Sequence, residues 1–414
     1  MPAPDSQDVI SRCRELAAIS EITDGTCRTF LSTAMKCCYA LVGEWMKTAG
    51  LTVSVDSAGN LRGARSGADP GKRVLLMGSH LDTVRNAGAF DGVLGVMIAI
   101  ALAEISAQSR LPFDLEIIGF SEEEGVRFGI PFIGSRALVG LLDEQALQRT
   151  DSAGISVAQA IDDFGLDPLE IPNAARKTPP LGFLEFHIEQ GPVLDVADES
   201  VGIVEAIAGQ SRASVRFLGS ANHAGTTPMH LRRDALAAAA QWIGVVEHLA
   251  CATPGLVATN GKIDSQPNVG NVIAGGATVS LDVRHADDSL RQRAYEDLHH
   301  AASEIAAKRR LELVWTELLS QKAVRMNEKL AAALDSCIAK TGITARRMVS
   351  GAGHDAMILA PYIPSAMLFL RSPGGISHHP AESVRPEDVE IALQIGRNFL
   401  DLMSTAYYNL ESTP

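Results

Sequence analysis

Histidine, aspartate and glutamate recur in this sequence just after apolar runs, in the combination that binds divalent metal ions. GSHLDTV carries His80 and Asp82, and FDG follows with Asp91. FSEEEG carries Glu123 and Glu124, FHIEQGP carries His187, and GISHHPAE carries His378. Imidazoles and carboxylates without cysteine suit Zn2+, Mn2+, Co2+ or Ni2+ at a reactive site rather than a structural one. A carboxylate shared between two ions holds them ~3.5–4 Å apart, close enough to activate one water. Asp91 is the expected bridge, because Gly88 and Gly92 let the backbone turn sharply around it. His80 and His187 are expected on one ion, Glu124 and His378 on the other. Asp82 is placed to accept the second ring N–H of His80 and fix its tautomer. Glu123, beside a ligand and not needed as one, is the candidate general base. Glu122 reads as the solvated member of the acidic triplet, and His379 as an outer or exposed neighbour of His378. His230, His248, His285, His299 and His300 read as structural or surface residues.

Something must hold these side chains together. VLLMG, LEIIGF, LGFLEF and SAMLFL precede the ligand segments. Such runs read as buried strands of a mostly parallel sheet. In open α/β sheets, ligand sites gather beyond the carboxyl ends of the strands. Residues 7–50 look helical, 51–67 look like a hairpin, and the helix after FDG is apolar all round, so it should be buried. From residue 211 the pattern becomes strand, helix, strand, strand, helix, strand, the ferredoxin-like order. The expected fold is α/β. A mixed, mostly parallel sheet with helices on both faces should span residues 1–210 and 326–414. A ferredoxin-like α+β domain should be inserted over residues 211–325.

With 414 residues, 46% of them apolar and 21% charged, the chain has ordinary globular composition. A net charge of −13 argues against nucleic acid and anionic membranes as partners. The longest apolar run, VLGVMIAIALAEI at 93–105, falls short of the ~20 residues that span a bilayer. No basic-then-apolar signal pattern opens the sequence. Cys13, Cys27, Cys37, Cys38, Cys251 and Cys337 include no CxxC pair. Reduced thiols and a cytoplasmic location are the expectation.

GSHLDTV, FDG, EEGVRF, HIEQGPVL, HAGTTPM, PNVGNVIAGG, LDVRH, SGAGHDAM and GGISHHPAES together resemble one family along nearly the whole chain. It is the carbamoylase branch of the aminoacylase and carboxypeptidase-like metallopeptidases. The resemblance implies a binuclear Zn2+ or Mn2+ site on His80, Asp91, Glu124, His187 and His378, with Glu123 as base. It implies that the inserted domain is a lid that also forms a homodimer. His223 resembles the lid histidine that reaches the partner subunit's active site and stabilises an oxyanion. Asn271 resembles the lid asparagine, Arg284 the arginine that grips a substrate carboxylate, and Gln190 a pocket glutamine near the scissile group. Ile273-Ala274-Gly275 departs from the family's Ile-Pro-Gly and leaves Asn271 in place. Dipeptidases of the superfamily usually carry a carboxylate where His187 stands, which sets a peptidase reading aside. CRTFLS, EEGVRFG, GISVAQAI and GIVEAIAGQSR resemble the plant-type allantoate amidohydrolases. That implies a ureido acid substrate, allantoate first and N-carbamoyl-L-amino acids second, with ureidoglycolate and β-ureidopropionate as further alternatives.

Overall fold

The structure is a computed structural model and describes residues 3–68, 73–109 and 111–411. The chain forms two compact units, residues 1–205 with 325–414, and residues 206–324.

The larger unit is built on a mixed sheet. Its successive neighbours are Thr52–Val55, Leu61–Arg65, Asp114–Phe120, Val74–His80, Gly182–Ile188, Ser365–Leu370 and Val201–Ile207. The central strands pair in parallel: Val74–His80 with Asp114–Phe120 and with Gly182–Ile188, and Gly182–Ile188 with Ser365–Leu370. The flanking pairs are antiparallel. Every residue of Val74–His80, Gly182–Ile188 and Ser365–Leu370 is buried. Both faces of these strands are therefore covered, which is why they read as continuous apolar runs rather than alternating ones.

The helix Val93–Ile105 packs on this sheet and is buried from Val93 through Ala103, as its uniform apolarity requires. Gly95 makes the close approach possible: a Cβ there would lie 2.1 Å from the Phe186 carbonyl oxygen. The helix Asp355–Leu359 meets the sheet through Glu185, whose Oε2 accepts the Ala356 N–H at 3.0 Å.

The helical character expected over 7–50 resolves into two helices, Ser6–Ala17 and Thr33–Thr48. Between them the chain turns at Gly25, with φ of +137°, and runs irregularly to the Ser32 N-cap. This segment buries Arg28, whose guanidinium donates to the carbonyls of Leu16, Ile19 and Leu81. A buried cation satisfied by carbonyls far apart in sequence leaves no periodic signal to read.

The smaller unit has the ferredoxin-like order. Its antiparallel sheet runs Ile263–Gln266, Gly276–His285, Gly209–Leu218, Glu312–Gln321. The boundary expected at 211 falls inside the strand Gly209–Leu218. Helices Ala235–Ala252 and Asp288–Arg309 bury Trp242, Val246, Leu298 and Ile305 with Val215, Phe217 and Leu281 of the sheet. Ala235–Ala252 is long and apolar enough to cross a membrane, a candidate the run-length reading missed. Here it lies on the sheet, and the Trp242 indole N–H donates to the Leu298 carbonyl at 2.9 Å.

Candidate metal centre

Each central parallel strand delivers part of one cluster. His80 is the last residue of Val74–His80, and His187 lies near the end of Gly182–Ile188. Glu123 and Glu124 follow Asp114–Phe120, and His378 follows Ser365–Leu370. Asp91 sits in the loop before the helix Val93–Ile105. The strands end side by side, so residues hundreds of positions apart become neighbours.

Asp91 lies between two groups. Its Oδ1 is 3.5 Å from His187 Nε2 and 3.9 Å from His80 Nε2. Its Oδ2 is 3.1 Å from His378 Nε2, which is itself 3.4 Å from Glu124 Oε1. His80, Asp91 and His187 can share one ion, and Asp91, Glu124 and His378 another. His80 also groups with Glu123 and Glu124, and His187 with Glu185 and His354. Glu123 Oε2 stands 4.0 Å from His80 Nε2. His80, Asp91, Glu123 and His187 are buried, whereas the His378 side chain is 48% exposed. Solvent reaches the cluster from the His378 side.

Backbone geometry fixes which nitrogen each imidazole presents. His80 Nδ1 is 2.9 Å from the Asp82 carbonyl oxygen, and His187 Nδ1 is 2.9 Å from that of Ile188. A carbonyl only accepts, so both Nδ1 atoms carry a proton and both Nε2 atoms face the cluster, where a metal ion could take their lone pairs. The expected role of Asp82 is thus divided. Its backbone carbonyl orients His80, while its carboxylate stays 3.8 Å from the ring. That carboxylate instead accepts the backbone N–H groups of Glu123 at 3.0 Å and Glu124 at 3.1 Å.

Glu122 is a correction to the sequence reading. It is fully buried rather than solvated, and it accepts backbone N–H groups from Phe30, Arg127 and Phe128. Glu122, Gln190 and His378 all have positive φ, at 53°, 59° and 54°. Non-glycine residues in this region carry local strain, which collects at functional sites.

Electrostatics show what the donor set lacks. Burial, then the charges of Glu124 and Asp355, push Glu123 well above the ordinary glutamate range. Burial and Asp91 push Glu124 up to about 7. Burial and then Asp82 carry Glu122 up to about 8. Burial works against a charged His80, yet Asp82, Asp91 and Glu124 raise it to about 9. Burial lowers His187 to about 4, with Asp91 opposing. Burial also opposes a charged Asp91, but the imidazoles of His378, His187 and His80 hold it well below the carboxylate range. Packed carboxylates, and imidazoles whose Nε2 atoms turn toward them, fit divalent cations, which would supply positive charge and displace the protons that His80 holds without them.

Gln190 donates from Nε2 to both Asp91 oxygens, at 3.0 and 3.1 Å. His379 is exposed, and its Nδ1 accepts the Ala381 N–H. Sequence reasoning gave no role to His354, whose buried ring packs edge-on against His187 with centroids 4.4 Å apart. It also missed Glu382, which accepts the backbone N–H groups of Phe90 and Asp91. Its only sequence signal was membership of the GISHHPAE segment.

In the smaller unit, His223 and Asn271 lie on one short ribbon. His223 pairs with Val272, and the Ala224 N–H donates to the Asn271 carbonyl. His223 Nδ1 accepts the Gly225 N–H at 3.1 Å, so the ring proton sits on Nε2 and can be donated outward. Arg284 lies on Gly276–His285 and clasps Asp282 through Nε and Nη2. Arg212 and Gln210, from the neighbouring strand, donate to the same carboxylate.

The profile of peptidase family M20/M25/M40 matches residues 76–401. A crystal structure described as an amidase of the hydantoinase/carbamoylase family from Burkholderia multivorans superposes with a TM-score of 0.90 at 30% identity, covering 96% of this chain and 97% of that one. An N-carbamoyl-L-amino acid amidohydrolase of Geobacillus stearothermophilus is 39% identical over 86% of this chain and 88% of its own. An allantoate deiminase of Arabidopsis thaliana is 37% identical over 93% of this chain and 80% of its own. The chain belongs to the M20 peptidase family, in its hydantoinase/carbamoylase branch. It is a metal-dependent amidohydrolase acting on a carbamoyl or ureido C–N bond, with the binuclear metal site of that family.

Proposed function

We propose that this enzyme hydrolyses allantoate, releasing ammonia and carbon dioxide and leaving ureidoglycine. The observation that carries the reaction class is Asp91 placed between the His80–His187 pair and the Glu124–His378 pair, with Glu123 buried beside them. Zn2+ or Mn2+ held by these ligands would polarise the ureido carbonyl and acidify a water. Glu123, buried beside the ligands, would take a proton from the attacking water and return it to the leaving nitrogen. His223 donates its Nε2 proton to the developing oxyanion, as its tautomer allows. Arg284, oriented by Asp282 through Nε and Nη2, supplies the positive charge that meets the substrate carboxylate. Asn271 and Gln190 complete the polar pocket. The working form is a homodimer in which the smaller unit serves the neighbouring subunit's active site. The reducing cytoplasm is the proposed compartment, in keeping with six free cysteines.

Allantoate is favoured because plant allantoate deiminases are similar along 93–96% of this chain, beyond the metal motifs themselves. N-carbamoyl-L-amino acids are the second reading, favoured by the 39% identity with the Geobacillus stearothermophilus enzyme. The test is ammonia release, with added Mn2+ or Zn2+, from allantoate, ureidoglycolate, N-carbamoyl-β-alanine and several N-carbamoyl-L-amino acids. Allantoate should give the highest kcat/KM. A carbamoyl amino acid ahead of it selects the second reading, and no turnover on any of them overturns both.

A further inference from the structure

We propose that Glu382 is a positioning residue that ties the loop of Asp91 to the loop of His378 and so holds these two side chains where one metal ion would need both. The inference rests on the metal centre described above and concerns a residue outside its ligand set.

Glu382 is 5% exposed. Its Oε1 accepts the backbone N–H of Phe90 at 2.9 Å and of Asp91 at 3.0 Å, across 292 and 291 residues of sequence. Its Oε2 accepts the hydroxyl of Ser377 at 3.2 Å. One carboxyl group therefore holds the peptide of the bridging residue with one oxygen. With the other it holds the residue next to His378. The Glu382 backbone N–H closes its own loop by donating to the His379 carbonyl at 3.0 Å.

The neighbouring loop is shaped to admit this contact. A Cβ on residue 88 would stand 2.4 Å from Glu382 Cβ and 2.6 Å from Oε1. Gly88 is thus the space in which the Glu382 side chain lies. The requirement is geometric. Asp91 Oδ2 and His378 Nε2 are 3.1 Å apart on separate loops, and a shift of either spoils a shared ion. Asp82 does the same for the acidic pair by accepting the Glu123 and Glu124 N–H groups. Outer partners of this kind typically contribute about 10–100-fold to metal affinity.

The hydrogen bonds themselves specify the test. A glutamine at 382 keeps one carbonyl oxygen for both backbone donors, and its amide can donate to Ser377. Alanine keeps neither. Chelated protein of each variant is titrated with Co2+, reading the visible absorption and the bound stoichiometry, with folding followed by circular dichroism. Glu382→Ala should stay folded and bind one of its two ions about 10–100-fold more weakly. Glu382→Gln should bind both ions far more nearly as wild type. Wild-type affinity for both ions in Glu382→Ala overturns the proposal. So does equal damage in Glu382→Gln and Glu382→Ala, because charge and not acceptor geometry would then be at work. If Glu382→Ala does not fold, Ser377→Ala decides. It removes only the Oε2 tie and should weaken one ion by about two- to tenfold, the share of one neutral hydrogen bond; no change overturns the proposal. Two bound ions without ureido hydrolysis would overturn the function proposed above and leave this assignment standing.

Discussion

Gly92 and the imidazole of His80 occupy adjoining space: a Cβ at residue 92 would stand 2.3 Å from His80 Nε2. Gly92 also has φ of +67°, where a side chain is strained in any case. The residue after the bridging aspartate is therefore glycine for two independent reasons. Gly92→Ala should displace the His80 ring and weaken the ion shared by His80, Asp91 and His187 by at least about tenfold. It should also lower stability by more than about 1 kcal/mol, since alanine at positive φ is disfavoured. Metal titration and a thermal melt measure both, and wild-type metal affinity would show that the ring has room to spare.

Dialysis against a chelator should abolish turnover, and Mn2+, Zn2+, Co2+ or Ni2+ should restore it. The same ions should raise the melting temperature, and go on raising it with the logarithm of their concentration above Kd, because they bind the folded donor set. Full activity in protein shown to be metal-free would remove the basis of the mechanism.

Glu123→Gln keeps the shape of the side chain and removes the proton carrier. Turnover should fall by roughly two to four orders of magnitude, the usual scale for general acid–base groups. Bound metal should stay at the wild-type level. Loss of metal in place of turnover would mean that Glu123 and Glu124 exchange roles.

Arg284 and His223 should separate binding from chemistry. Arg284→Lys keeps charge but loses the two-point hold on Asp282 that orients the cation, so KM should rise more than kcat falls. His223→Ala should lower kcat more than it raises KM. Mixing inactive His223→Ala with inactive Glu123→Gln should recover activity if subunits exchange, since one site of the mixed dimer then has both groups. Verified mixed dimers without any gain would confine His223 to its own chain.

The metal-free protein should lose stability between pH 6.5 and 9. Glu122 is raised to about 8, and Glu124, Glu185 and Glu382 to about 7, all chiefly by burial. His80 is raised from 6.5 to about 9 by its carboxylate neighbours, against burial. Each group holds its proton more tightly folded than unfolded. Its contribution is present below the unfolded value and lost as pH rises through the folded one. His187 is lowered to about 4, so its opposite contribution is already constant above pH 6.5. Melting temperatures of chelated protein should therefore fall across this interval, and added metal should flatten the fall. A flat or rising profile without metal would contradict the protonation pattern.

The ligand types were legible because metal chemistry restricts them. His80, Asp91, Glu124, His187 and His378 stand just past apolar runs or in the adjoining loops, and a parallel sheet gathers such ends at one edge. The ferredoxin-like order of the smaller unit was legible for a similar reason, since its half-covered strands alternate and its helices repeat with their own period. Which atom of Asp82 orients His80, and that Glu122 is buried, were decided only by tertiary structure. So was the contact of Glu382 with Phe90 and Asp91. The carboxylates of Asp82, Glu122 and Glu382 each accept at least one backbone N–H from a segment distant in sequence. Every non-proline residue carries that donor, so side-chain identity does not mark which of them will be met. Local pattern determined which residues could do the chemistry. Only the folded chain decided what holds them to within hydrogen-bond distance.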